Sequence, residues 1–182
     1  MSRLIVLNGP PGCGKSTLAQ MWVTRHPRAL NLDIDQVRSL LGDWKADPYQ
    51  AGLLARELAK AMARTHLVGG HDVVVAQYLG RLDFIEQLEA VAQEADAGFT
   101  QIVLLAGKDE SIRRFELRTE RAVEIAHVEA AEMVRPAGGR AELAAMYDRL
   151  EGVIAARPDA IIVQTRSGEV QQAYDDVASL LR

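Results

Sequence analysis

The chain alternates between two hydrophobic periods. Short, nearly continuous apolar runs occur at Leu4–Leu7, Ala29–Leu32, Val73–Val75, Ile102–Leu105 and Ile161–Val163. Such runs suit strands buried on both faces. Between them lie longer stretches with apolar residues near helical spacing. The first runs from Lys15 to about Arg25, where His26-Pro27 ends it. A short one covers Gln36–Leu41. Tyr49 to about Val68 carries Leu53, Leu54, Leu58, Ala61, Met62 and Leu67 as its apolar positions, and Gly69-Gly70 stops it. Leu82–Ala95 follows, with Gly98 or a residue nearby as the expected cap at its end. Asp109 is placed to cap the helix that runs to about Arg121, and Ala126–Val134, Arg140–Ala156 and Val170–Leu181 complete the set.

Strand and helix in strict alternation predict an α/β domain built on a parallel sheet. Right-handed crossovers then place helices on both faces. Two segments break the pattern. Gly42–Pro48 is a polar loop with an exposed-looking Trp44, and Arg135–Arg140 interrupts a helix. Both suit segments that cover a substrate, although plain surface loops look the same.

Composition narrows the class. The 182 residues are 48% hydrophobic and 25% charged, which suits one globular domain and argues against disorder. No uncharged run exceeds eleven residues, the length of Leu4–Gly14. A membrane-spanning helix needs about 20, so no membrane association is expected. The N-terminus lacks a signal-peptide pattern, and the single Cys13 can form no internal disulfide, so a cytoplasmic setting is expected. A net charge of −4 argues against binding long nucleic acid. Seventeen arginines stand against four lysines. A compositional bias accounts for most of that skew, but particular arginines can offer phosphate a fork geometry that lysine lacks.

Gly9-Pro10-Pro11-Gly12-Cys13-Gly14-Lys15-Ser16 matches G-x-x-x-x-G-K-[ST], the Walker A pattern, at every fixed position. It follows a strand and opens a helix, as its mechanics require. Glycines let backbone N–H groups turn inward around phosphates, and the helix N-terminus adds its positive dipole end. Lys15 can reach the β- and γ-phosphates, Ser16 offers a hydroxyl to Mg²⁺, and Thr17 is placed for the α-phosphate. The Cys13 thiol is expected to be incidental.

Asp33 and Asp35 follow the second strand, at the sheet edge where open α/β sheets bind ligands. One carboxylate can orient a metal-bound water and the other can accept a proton from an attacking hydroxyl. The alternative is that one of them only caps the helix beginning near Gln36. Arg38, one turn beyond Asp35, can hold an anionic or hydroxyl-rich substrate. The third strand ends at Gln77 without an acid, so either Asp33 serves the metal through water or the metal shell relies on water alone, and Gln77 can bond substrate or a water. Arg114, Arg118 and Arg121 are spaced to share a helix face. A solvated face paired with nearby glutamates is the alternative.

These residues together resemble the small P-loop kinases: shikimate kinase, chloramphenicol phosphotransferase, the zeta-toxin kinases and the phage polynucleotide kinase domain. The phosphate loop, Asp33-Ile34-Asp35, Arg38, Val73–Gln77 and Arg113–Arg121 carry the resemblance. It implies a five-stranded parallel sheet in the order 2-3-1-4-5 and a short helical lid over about 114–140. It also implies ATP and Mg²⁺, with Asp35 as general base and Arg38 as a substrate contact. Arg114 and Arg118 would neutralise charge on the transferred group. The loop Thr165–Gly168 would wrap the adenine. The expected activity is phosphoryl transfer from ATP to a hydroxyl of a small molecule. The rivals are a nucleic-acid 5′-hydroxyl kinase, a nucleotide-binding regulatory or toxin-type module with weak ATPase, and a simple hydrolase.

Overall fold

A computed structural model describes residues 1–121, 134 and 138–181. Five strands are present: β1 (Arg3–Asn8), β2 (Leu30–Leu32), β3 (Val73–Ala76), β4 (Gly98–Leu105) and β5 (Ile161–Gln164). They form one sheet in the order β2-β3-β1-β4-β5, with every pairing parallel. Seven helices are described: α1 (Lys15–Arg25), α2 (Ile34–Ser39), α3 (Pro48–Val68), α4 (Asp83–Glu94), α5 (Lys108–Arg121), α6 (Arg140–Ala156) and α7 (Val170–Leu180). The expected helix at Ala126–Val134 and most of the expected lid lie outside the described residues.

Strand alternation divides the core. Leu4 and Val6 of β1 face one cluster, which α2, α3, α4 and Val153 of α6 complete. Ile5 and Leu7 face the other, which α1 and α7 cover. Helices therefore lie on both faces, and the apolar strand runs are explained by burial on both sides.

Three local expectations need correction. The buried stripe of α3 is Ala51, Ala55, Ala59, Ala63 and Leu67, whereas Leu53, Leu54, Leu58 and Met62 are exposed. Small side chains at a four-residue spacing let the helix lie close to the sheet. Gly98 does not cap α4. Ala95 does, Asp96 takes the left-handed conformation at φ 51°, and Gly98 opens β4. Asp109 lies inside the first turn of α5 rather than at its cap, favourably placed for the helix dipole.

Candidate active site

The carboxyl ends of β1 and β2 deliver the two halves of the site. Asn8 ends β1 with its side chain fully buried. Its Nδ2 donates to the Leu79 carbonyl at 2.9 Å, and its Oδ1 accepts from the N–H groups of Leu79 and Gly9, both at 2.8 Å. One carboxamide thus ties the root of the phosphate loop to the segment after β3. The sequence reading missed Asn8. Its signal was a polar residue closing an otherwise apolar strand just before a glycine.

From there the loop turns over β4. Gly9 has φ 150°, and a Cβ on it would lie 2.4 Å from the Leu104 carbonyl oxygen and 2.7 Å from the Cys13 sulfur. No side chain fits there. Gly12 (φ 85°) backs onto α5, with the Phe115 amide nitrogen 3.1 Å from where a Cβ would stand. Pro10 and Pro11 span the turn between them, and the Pro10 carbonyl accepts from the Cys13 N–H at 3.4 Å. Cys13 is buried among Leu7, Leu18 and Leu104, so its thiol fills the space under the loop. That is more than the incidental part expected of it.

Gly14 caps α1 in the left-handed conformation (φ 96°), and no side chain caps that end. The opening amides of a helix have no intrahelical acceptor, so they form an anion site. Lys15 folds back over the loop and donates to the carbonyls of Gly9 at 2.9 Å and Pro10 at 3.0 Å. Ser16 and Thr17 are exposed on the first turn. Uncapped amides, a positioned ammonium and a free-standing hydroxyl make a donor set that fits a nucleotide's phosphates. Among the described residues, no cluster of three or more His, Cys, Asp or Glu could hold a metal. A divalent cation here would depend on phosphate oxygens and water, with Ser16 as its direct protein ligand, as suits Mg²⁺.

The acidic pair divides its work. Asp33 is the N-cap of α2, and its Oδ1 accepts from the N–H groups of Asp35 at 2.9 Å and Gln36 at 3.2 Å. The capping alternative therefore holds for Asp33. Its Oδ2 meets only the Gln36 amide at 3.5 Å among the described contacts, which leaves that oxygen able to serve a water. Burial pushes the Asp33 carboxyl above its usual range, and the amide bonds from Gln36 and Asp35 oppose this. The helix starts at Ile34, so Asp33 and Asp35 are not on one extended segment. Asp35 lies in the first turn, half-exposed, with its Oδ1 3.1 Å from Arg38 Nη2. Arg38 is only 9% exposed. The Trp44 ring lies 4.6 Å from its guanidinium, so Trp44 is half-buried rather than free.

Gln77 sits just past β3, partly buried, with its N–H bonded to the Leu7 carbonyl at 3.2 Å. Tyr78 beside it donates its hydroxyl to the Met146 carbonyl at 2.9 Å, joining this segment to α6.

Arg114 leans to the other side of the phosphate loop. Its Nε donates to Glu110 at 2.8 Å, and its Nη atoms donate to the Thr165 carbonyl at 3.2 Å and hydroxyl at 3.4 Å. Its two nearest charged neighbours hold Glu110 below the usual carboxylate range, Arg114 first and Arg113 second. Arg113 itself is exposed. A cavity of about 420 Å³ opens between Gly107, Arg114 and the segment Gln164–Ser167. This is where the sequence reading put the adenine. The side chains of Arg118 and Arg121 lie outside the described residues.

Comparison with known proteins agrees with this fold. The AAA domain family matches residues 4–137. The tunicamycin resistance protein of Deinococcus radiodurans aligns over 100% of this chain and 96% of its own, with a TM-score of 0.66 and 17% identity. A gluconokinase from Sinorhizobium meliloti 1021 aligns over 97% of this chain and 91% of its own, with a TM-score of 0.58 and 16% identity. No curated protein matches significantly. These likenesses establish a P-loop kinase-like fold. No described helix is long and apolar enough to cross a membrane.

Proposed function

The chain belongs to the AAA domain family, and from that premise we propose that it is a kinase that uses ATP and Mg²⁺ to phosphorylate a hydroxyl of a small molecule. One observation carries the reading. The uncapped amides of α1 and the Asp35–Arg38 pair of α2 both stand at the carboxyl edge of the sheet, after β1 and β2, the two strands that flank β3. A phosphate site alone suits any NTPase. A carboxylate held by a buried arginine on the same edge of the sheet suits a transferred proton and a bound acceptor.

In this reading the loop amides and Lys15 hold the β- and γ-phosphates. Ser16 would hold Mg²⁺ directly and Asp33 through water; the ion, when bound, neutralises charge between the phosphates. Asp35 orients the acceptor hydroxyl and takes its proton as the new oxygen–phosphorus bond forms and the bond to the β-phosphate oxygen breaks. Arg38 and Gln77 contact the acceptor. Arg114 contributes from the nucleotide side. The gluconokinase neighbour gives one example of a kinase on this fold.

The test is a screen with γ-labelled ATP over sugars, hydroxy acids, antibiotics, nucleosides and oligonucleotide 5′ ends. Label should pass to one small-molecule class, and Asp35→Asn should lower that transfer about 10²- to 10⁴-fold. Full transfer by Asp35→Asn would remove the base assignment. Tight ATP binding with no labelled product would favour the regulatory module, and acceptor-independent turnover would favour a hydrolase.

A further inference from the structure

α3 turns its small side chains to the core and its large ones to solvent. Ala51, Ala55, Ala59, Ala63 and Leu67 are buried. Leu54 is 57% exposed, Leu58 45% and Met62 41%. Ala61 and Thr65 are exposed as well. Positions 54, 58, 61, 62 and 65 share one helix face. Alanines inside let the helix lie close to the sheet. That approach asks nothing of the outer face, where polar residues would serve as well. A contiguous apolar stripe left in water there marks a surface that another molecule covers.

The stripe matches itself. Leu54, Leu58 and Met62 form one ridge at four-residue spacing, and such a ridge fits the groove beside the same ridge on a second α3. Ala61 adds no bulk to hold the two helices apart. Charge follows the same symmetry. Glu57 and Arg64 are both exposed, two helical turns apart. Within one copy Glu57 meets Lys60 at 2.8 Å, and Arg64 pairs with Glu94. In an antiparallel pair with its two-fold axis between Lys60 and Ala61, Glu57 of each copy comes level with the partner's Arg64. A two-fold interface requires this kind of self-complementarity.

We propose that the exposed stripe of α3 is the interface of a homodimer, in which Leu54, Leu58 and Met62 of two copies interlock. The area sets its strength. The 21 residues of α3 make a helix about 30 Å long and about 10 Å across, so one face amounts to roughly 300 Å² per copy. A standard stable interface buries about 800 Å² per partner. The dimer is therefore reversible, and forms at micromolar protein rather than being obligate. It does not depend on the reaction catalysed. It does reach the site, because Ile34 and Val37 of α2 share a core cluster with Ala55 and Ala59 of α3.

Sedimentation velocity of the full chain from about 1 to about 200 µM tests this, a range that spans weak association. A shift from monomer to dimer with concentration is expected. Leu58→Arg should stay monomeric throughout. Its urea midpoint at about 1 µM, where mass action leaves the wild type monomeric, should match the wild type. Leu54→Lys serves as the second variant and should behave alike. Glu57→Arg and Arg64→Glu should each weaken the dimer, and the double exchange should restore it, because the pair re-forms with its signs reversed. A chain that stays monomeric up to about 200 µM overturns the proposal and leaves the face to a different protein. A dimer that survives both Leu58→Arg and Leu54→Lys uses another surface and overturns it too. Phosphoryl transfer by a monomeric chain would keep the kinase reading and sink this one, and a dimer without transfer would do the reverse.

Discussion

The carboxamide of Asn8 brackets the backbone of Leu79, accepting from its N–H at 2.8 Å and donating to its carbonyl at 2.9 Å. These residues stand 71 positions apart. The bracket clamps the start of the phosphate loop to the segment that carries Gln77 and Tyr78. Asn8→Ala would strand two donors and an acceptor in the core. It should cost about 2–4 kcal/mol in urea unfolding. Nucleotide affinity should fall with it, because Gly9 loses its anchor as well.

Glycine is required in the loop to different degrees. Gly9→Ala meets backbone oxygen at 2.4 Å, whereas a Cβ on Gly14 has nothing within 4 Å. Gly14→Ala therefore suffers only its positive φ, about 1–2 kcal/mol. Gly9→Ala should lose more and should abolish ADP binding. Thermal unfolding paired with calorimetric ADP titration separates the two.

Lys15 already rests on the Gly9 and Pro10 carbonyls, so its ammonium is organised for phosphate. Lys15→Ala should weaken ADP binding about ten- to a hundredfold, as expected for one charge-assisted contact. Equilibrium dialysis checks it. Unfolding stability should change little, because the side chain serves the loop and not the core.

Arg114 distinguishes two roles by kinetics. Its contacts with Thr165 place it beside the cavity at Gln164–Ser167. Arg114→Ala should raise KM for ATP more than it lowers kcat. A loss confined to kcat would instead mark it as a transition-state arginine.

Asp33 should leave a pH signature. Burial raises its carboxyl above the ordinary range in the folded protein. The protonated form is thus favoured by folding. The resulting stability is fully present below the unfolded value and is lost as pH rises through the folded value. Wild type should therefore lose stability relative to Asp33→Asn as pH rises through the acidic range. Asn keeps the capping oxygen without the charge. Asp33→Ala should be about 1 kcal/mol weaker even where the carboxyl is protonated. Urea unfolding between acid and neutral pH reads all three proteins.

Much of this was legible beforehand, and the exceptions share a cause. Strand runs, helix spans and the phosphate loop were readable because each depends on neighbours in sequence. The packing face of α3 was not. That helix offers a leucine-methionine stripe and an alanine stripe, and spacing alone does not say which meets the sheet. Close approach chose the alanines. Which of the two aspartates caps the helix was open on paper. Only the helix start at Ile34 made one a cap and left the other facing Arg38.

The sequence by itself determined the phosphate chemistry. The turn, the lysine and the helix dipole all lie between Gly9 and Arg25, where covalent spacing dictates geometry. It also determined the order of strands and helices, through hydrophobic period. The tertiary structure decided which side chains that chemistry would meet. Asn8 reaching Leu79, Arg114 reaching Thr165 and Trp44 covering Arg38 each depend on where separate elements come to rest. Contacts closed by the packing of sheet and helices leave no periodic trace in the chain. That is why the acceptor side of the site became readable only once the core had set its walls.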